Sequence, residues 1–119
     1  MKPVRVQLIG NAADEFERLN KVVGEDHAKG IKNSEHQQLL KSIKQKIELI
    51  KANPQYGAQV PKPLVSRSGY SVDNLWVADL TGYWRMLYTL KGSHVEILCF
   101  VLEIIDHNRY DKIFGYKKK

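Results

Sequence analysis

The chain has 119 residues, 43% of them apolar, enough for a single domain over residues 1–119 with a core of modest size. Its formal charge is 19 − 13 = +6 and its pI is about 9.4, which suits nucleic acid or an acidic protein as partner and equally suits a lysine-rich solvated surface. One cysteine excludes a disulfide framework and a cysteine-based zinc site; residues 1–12 hold no secretory signal and no apolar stretch approaches a membrane span, so a cytoplasmic protein is expected, off the membrane.

The first element is VRVQLI, residues 4–9, whose alternation of apolar and polar side chains predicts a half-buried strand. Gly10 ends it, and Asn11 is placed to cap a helix on which Ala12, Phe16, Leu19 and Val23 recur at helical spacing. The polar GEDHAKGIKN, residues 24–33, with two glycines, predicts a loop. Ser34 and Gln37 form a capping-box pattern for a second helix, with Leu39, Leu40, Ile43, Ile47 and Ile50 as its apolar stripe and Asn53-Pro54 as its stop. Lys41, Lys44, Lys46 and Lys51 fall largely outside that stripe. The two helices in succession predict a helical hairpin.

Residues 55–74 carry two prolines, three serines and two glycines, and predict a long irregular connection, at most with a short strand. It holds Lys62 and Arg67 and one acid, Asp73. Then come LWVADL, WRMLYTL and HVEILCFVLEII, rich in β-branched and aromatic residues and separated by TGY and KGS, a pattern that predicts a three-stranded antiparallel meander. The last of these strands is apolar on both faces at its centre, so it should lie covered inside the sheet, with Cys99 a small buried hydrophobe. The predicted order is β-α-α-β-β-β, a two-layer α+β domain with the hairpin packed on a mainly antiparallel sheet.

Arg85 is the lone charge in TGYWRMLYTL, residues 81–90. A guanidinium cannot shed its proton here, so Arg85 faces water, pairs with a carboxylate such as Asp79 or Glu96, or meets a ligand. Arg85 opens the middle strand, and its antiparallel neighbour ends near Ile105, so His107, Arg109 and Tyr110 should arrive at the same end of the sheet. Arginine binds phosphate oxygens in a bidentate fork, and histidine or tyrosine moves a proton, so such a cluster suits phosphodiester chemistry on RNA, whose 2′-hydroxyl is its own nucleophile. The four histidines have no metal-ligand spacing and the carboxylates are scattered, so no metal or other cofactor is expected. Each residue also has a plainer use: His107 could end the strand, Arg109 and Lys112 could be solvated charges, and Tyr110 and Tyr116 could pack the tail on the domain.

Three segments in this order resemble the RelE/ParE superfamily of toxin–antitoxin toxins. NLWVADLTGYWRMLYTL is similar to that family's strand-turn-strand with its Gly-Tyr-Arg-apolar-apolar-Tyr pattern, here with Trp84 inserted between Tyr83 and Arg85. VEILCFVLEI resembles its buried last strand, and DHNRYDKIFGY its terminal His/Arg-then-Tyr segment. The resemblance covers nearly the whole chain. It implies a type II toxin that cleaves mRNA on the ribosome by metal-independent attack of the 2′-hydroxyl, with an acidic antitoxin as protein partner. It implies Arg85 as the phosphate-stabilising arginine, Arg109 as a second, and His107, Tyr110 or Tyr116 as base, acid or stacking group. Lys62, Arg67, Lys112, Tyr116 and Lys117 would contact RNA. The ParE branch shares the fold, acts on DNA gyrase and leaves RNA uncut; a basic RNA-binding domain without toxicity is a third reading of the same fold. One departure is visible: RelE-like members often carry basic residues on the first meander strand, where this chain has Trp76, Val77 and Ala78. Lys62 or Arg67 could supply the missing charge.

Overall fold

The computed structural model describes residues 2–115. Its elements in chain order are β1 (Val4–Leu8), α1 (Gly10–Ala28), α2 (Glu35–Ala52), β2 (Ala58–Gln59), α3 (Lys62–Ser68), β3 (Trp76–Asp79), β4 (Trp84–Gly92), β5 (Ile97–Asp106) and α4 (His107–Phe114). The five strands form one sheet in the order β1-β5-β4-β3-β2. β3, β4 and β5 make the expected antiparallel meander, while β1 pairs with β5 in parallel, Val4 opposite Ile97 and Leu8 opposite Val101. β5 is therefore an interior strand, as its apolar centre requires.

Alternation along the strands separates two cores. Met86, Tyr88, Cys99, Val101 and Ile104 face the helical hairpin and pack with Ala12, Leu19, Val23, Leu39, Leu40, Ile43 and Ile50. Leu87 and Ile105 face the other way and pack with Val60, Val65, Leu75 and Phe114. The register shifts between Leu87, opposite Glu103, and Tyr88, opposite Val101, so Leu102 is the extra residue of a bulge. Cys99 is fully buried, and burial pushes its thiol up to about 12, which leaves it a packing residue rather than a nucleophile.

Three local expectations are corrected, and the tail gains a helix. Asn11 does not cap α1: the N-cap position is Ile9, and the Asn11 side chain instead donates to the Glu103 carboxylate at 3.2 Å. The glycine-containing stretch predicted as a loop is helical through Ala28, because α1 runs on through Gly24, whose missing side chain borders open space. A mid-helix glycine costs about 1 kcal/mol, which a helix of this length packed along a sheet absorbs. The connection after α2 is not irregular throughout: it contains the two-residue β2 and the helix α3, the latter bounded by Pro61 at its N-cap and by Gly69, at φ 81°, at its end. The tail after β5 is the helix α4, capped by the Asp106 carboxylate, which accepts the backbone N–H of Arg109 at 2.9 Å, and closed by Gly115 at φ 71°. The Ser34 cap stands as expected, its hydroxyl accepting the Gln37 N–H at 3.2 Å.

α3 and α4 thus cover the sheet face opposite the hairpin, and both flank the end at which β3 turns into β4. No helix among the described residues is long and apolar enough to cross a membrane.

Candidate functional site

The turn between β3 and β4 shapes the site. Gly82 at φ 66° and Tyr83 at φ 63° both lie in the left-handed region, and the Leu80 N–H bonds the Trp84 carbonyl at 2.8 Å to close the turn. The turn is docked on α2 by the Thr81 N–H, which donates to the Ser42 hydroxyl at 3.1 Å. The first residue pair beyond it is Asp79 opposite Arg85.

Arg85 points to the face covered by α3 and α4. Its Nη1 donates to Asp79 Oδ1 at 3.0 Å, and its guanidinium lies over the Tyr110 ring, 5.0 Å from the centroid. Tyr110 is held from behind by the buried Phe114, at 4.7 Å between ring centroids. The Arg85 side chain is 28% exposed and that of Asp79 is 81% exposed. An ion pair with one partner so open to water is worth no more than about 1 kcal/mol. The bond to Asp79 occupies one of five guanidinium N–H donors, so the arginine keeps a fork for a second anion.

Arg85 and Tyr110 line a cleft of about 590 Å³ that crosses the open edge of the sheet. The opening exists because β2 pairs only with Trp76 and Val77, leaving the outer edge of β3 uncovered at Ala78 and Asp79. The lining also includes Lys46 of α2 and Tyr56 of the loop before β2. That loop is pinned through Tyr88, whose hydroxyl accepts the Gly57 N–H and donates to the Pro54 carbonyl, both at 2.9 Å. Gly57 is required there: a Cβ would sit 2.5 Å from the Val77 carbonyl oxygen and 2.9 Å from the Tyr88 hydroxyl.

The predicted cluster is therefore divided. Arg85 and Tyr110 share the cleft. His107, at the start of α4, lies edge-on to the exposed Tyr83 ring at 5.9 Å, at the end of the sheet. Arg109 lines a separate depression with Asn11, Asp14, Glu15, Arg18 and Glu103. The buried Glu103 carboxylate takes the Tyr70 hydroxyl at 2.6 Å; burial, then that bond, raise the Tyr70 pKa. Lys62 is exposed at the first position of α3 and Lys112 is exposed in the last turn of α4. Arg67 does not reach the cleft, because its Nη1 donates to the Phe114 carbonyl at 3.3 Å and helps end α4. The cleft lining includes Lys46 of α2 and does not include Lys62 or Arg67. Tyr116 and Lys117 lie outside the described residues. Among the described residues no group of three or more His, Cys, Asp or Glu could hold a metal ion.

The hairpin on a five-stranded sheet is a fold also seen in a solved toxin structure. The chain is similar to a solved YoeB/ParE toxin from Agrobacterium tumefaciens, with a TM-score of 0.54 over 90% of this chain and 99% of that one, at 17% identity. At that identity the likeness is one of fold. No family model matches the sequence, and no curated protein matches it.

Proposed function

We propose that this protein is the toxin of a type II toxin–antitoxin pair and cleaves mRNA on the ribosome. The observation that carries the reading is the Arg85 guanidinium, held over the Tyr110 ring with spare donors in an open cleft. In the reaction, the 2′-oxygen bonds to the adjacent phosphorus as the P–O5′ bond breaks, giving a 2′,3′-cyclic phosphate and a 5′-hydroxyl. Arg85 stabilises the charge that builds on the non-bridging oxygens. Tyr110 supports the guanidinium and donates a proton to the leaving 5′-oxygen. His107 lies three residues before Tyr110 on α4 but outside the cleft lining, so it takes the proton of the 2′-hydroxyl through an intervening water. The charge of +6 suits both the ribosomal RNA around the substrate and an acidic antitoxin segment.

The test is induced expression with growth and mRNA 5′ ends followed together. Growth arrest with mRNA cut within codons is expected, and Arg85→Ala should lose both while keeping the wild-type thermal melt. Full cleavage by Arg85→Ala would remove the reading. The Arg85–Asp79 ion pair favours one other reading, in which Arg85 is structural and the protein acts on DNA gyrase as the ParE branch does. Arrest with intact mRNA would select it.

A further inference from the structure

α2 turns one lysine toward the cleft, away from the solvated row around it. Asn53-Pro54 ends the helix, and the Tyr56 N–H donates back to the Asn53 carbonyl at 2.9 Å, so the chain doubles past the last turns of α2. Tyr56 thereby meets Lys46, ten residues earlier. The Lys46 ammonium donates to the Tyr56 hydroxyl at 3.1 Å and lies 5.4 Å from the ring centroid. Lys46 is half-buried, whereas Lys41, Lys44 and Lys51 are exposed. Lys51 pairs with Glu48 and Arg85 with Asp79, but Lys46 has no carboxylate partner among the described residues. The charged lining of the cleft is then Lys46, Arg85 and Asp79, a net +1 across an opening of about 590 Å³. That volume falls within the roughly 300–1,000 Å³ of pockets that enclose a small ligand.

From this geometry we infer that Lys46, held by Tyr56, is a second phosphate subsite: it takes a phosphate of the RNA strand next to the one engaged by Arg85. The subsite rests on the RNA-cleaving reading of the cleft. An uncompensated ammonium lining the same cleft as a guanidinium fits a chain of spaced negative charges better than a single anion. Lysine serves there as a point charge, tolerant of the strand's exact angle, while the arginine fork fixes the reacting group. The exposed Tyr56 ring holds the ammonium and leaves its other two N–H donors for the phosphate.

The subsite is tested with a short fluorescein-labelled 2′-O-methyl RNA, which cannot be cut by 2′-hydroxyl attack. Binding to the full chain is followed by fluorescence polarisation from about 50 to 200 mM salt. Each phosphate contact on a single strand contributes about 0.7 to the slope of log affinity against log salt. Lys46→Gln and Arg85→Gln should each lower the slope by about 0.7, and the double variant by about twice that. Lys46→Arg should keep the slope, and Lys44→Gln, on the solvated side of α2, should leave it unchanged. If Lys46→Gln keeps the wild-type slope while Arg85→Gln lowers it, the subsite is wrong and the reading of Arg85 stands. If neither variant changes the slope, or the wild type shows no salt-dependent binding, the cleft does not hold RNA and both fall.

Discussion

Arg85 has two partners with opposite consequences for an incoming phosphate. The Tyr110 ring supports the guanidinium without occupying the donors at its edge, whereas Asp79 takes one of them and adds a negative charge beside the anion's place. Asp79 is mostly in water, so its bond to Arg85 is cheap to break. Asp79→Asn should therefore tighten RNA binding by about 1 kcal/mol, about fivefold, through loss of repulsion. Stability should fall by less than about 1 kcal/mol. Polarisation titrations at fixed salt beside a thermal melt check both. Weaker binding in Asp79→Asn would mean that the ion pair orients Arg85 for its ligand rather than competing with it.

At the scale of elements, what could be read from the sequence depended on how much apolar pattern each element carries. α1, α2 and the meander each bury a long stripe or alternating face, and their existence and order are visible in the residues. α3 and α4 are seven and eight residues long and fully bury one side chain each, Val65 and Phe114, too few for a period to show. Their only signals are Pro61 before and Gly69 after the first, and Asp106 before and Gly115 after the second. The helical form of the tail also decides which of its side chains reach the cleft. In an extended tail Arg109 and Tyr110 could serve one cluster; on a helix neighbours lie about 100° apart, so Tyr110 enters the cleft and Arg109 turns away. On a helical wheel Lys46 is one more solvated lysine, and only the chain reversal that brings Tyr56 back to it marks it out. The Asp106 cap is thus part of the site. Asp106→Ala should cost about 1 kcal/mol of stability and lower RNA cleavage, since the first turn of α4 sets both His107 and Tyr110. Asp106→Asn, an equally good cap, should restore both, and paired melts and cleavage rates decide the matter. A loss of cleavage in Asp106→Asn with a normal melt would assign the carboxylate a role beyond capping.

On the scale of the whole molecule, the two cores each hold a weakly acidic group that folding keeps protonated. Cys99 lies in the core under the helical hairpin, and burial alone pushes its thiol from 9.0 up to about 12. Tyr70 packs in the opposite core, and burial, then its bond to the Glu103 carboxylate, raises its hydroxyl above the usual 10.0. In both cases the unfolded chain releases the proton at a lower pH than the folded one. Above about pH 9 the folded state therefore binds more protons, and the stability of the fold falls as pH rises. Below that pH both groups are protonated in either state and contribute no slope. Urea midpoints should hold steady up to about pH 9 and then drop toward pH 11. Cys99→Ala would lower the neutral-pH midpoint by leaving a small cavity, but should flatten the decline that begins near pH 9, because the earliest-releasing group is gone. Tyr70→Phe should spare that first part of the decline and flatten the part above about pH 10. A decline unchanged by either variant would assign the alkaline sensitivity to Tyr88 in the hairpin core, whose hydroxyl burial also raises.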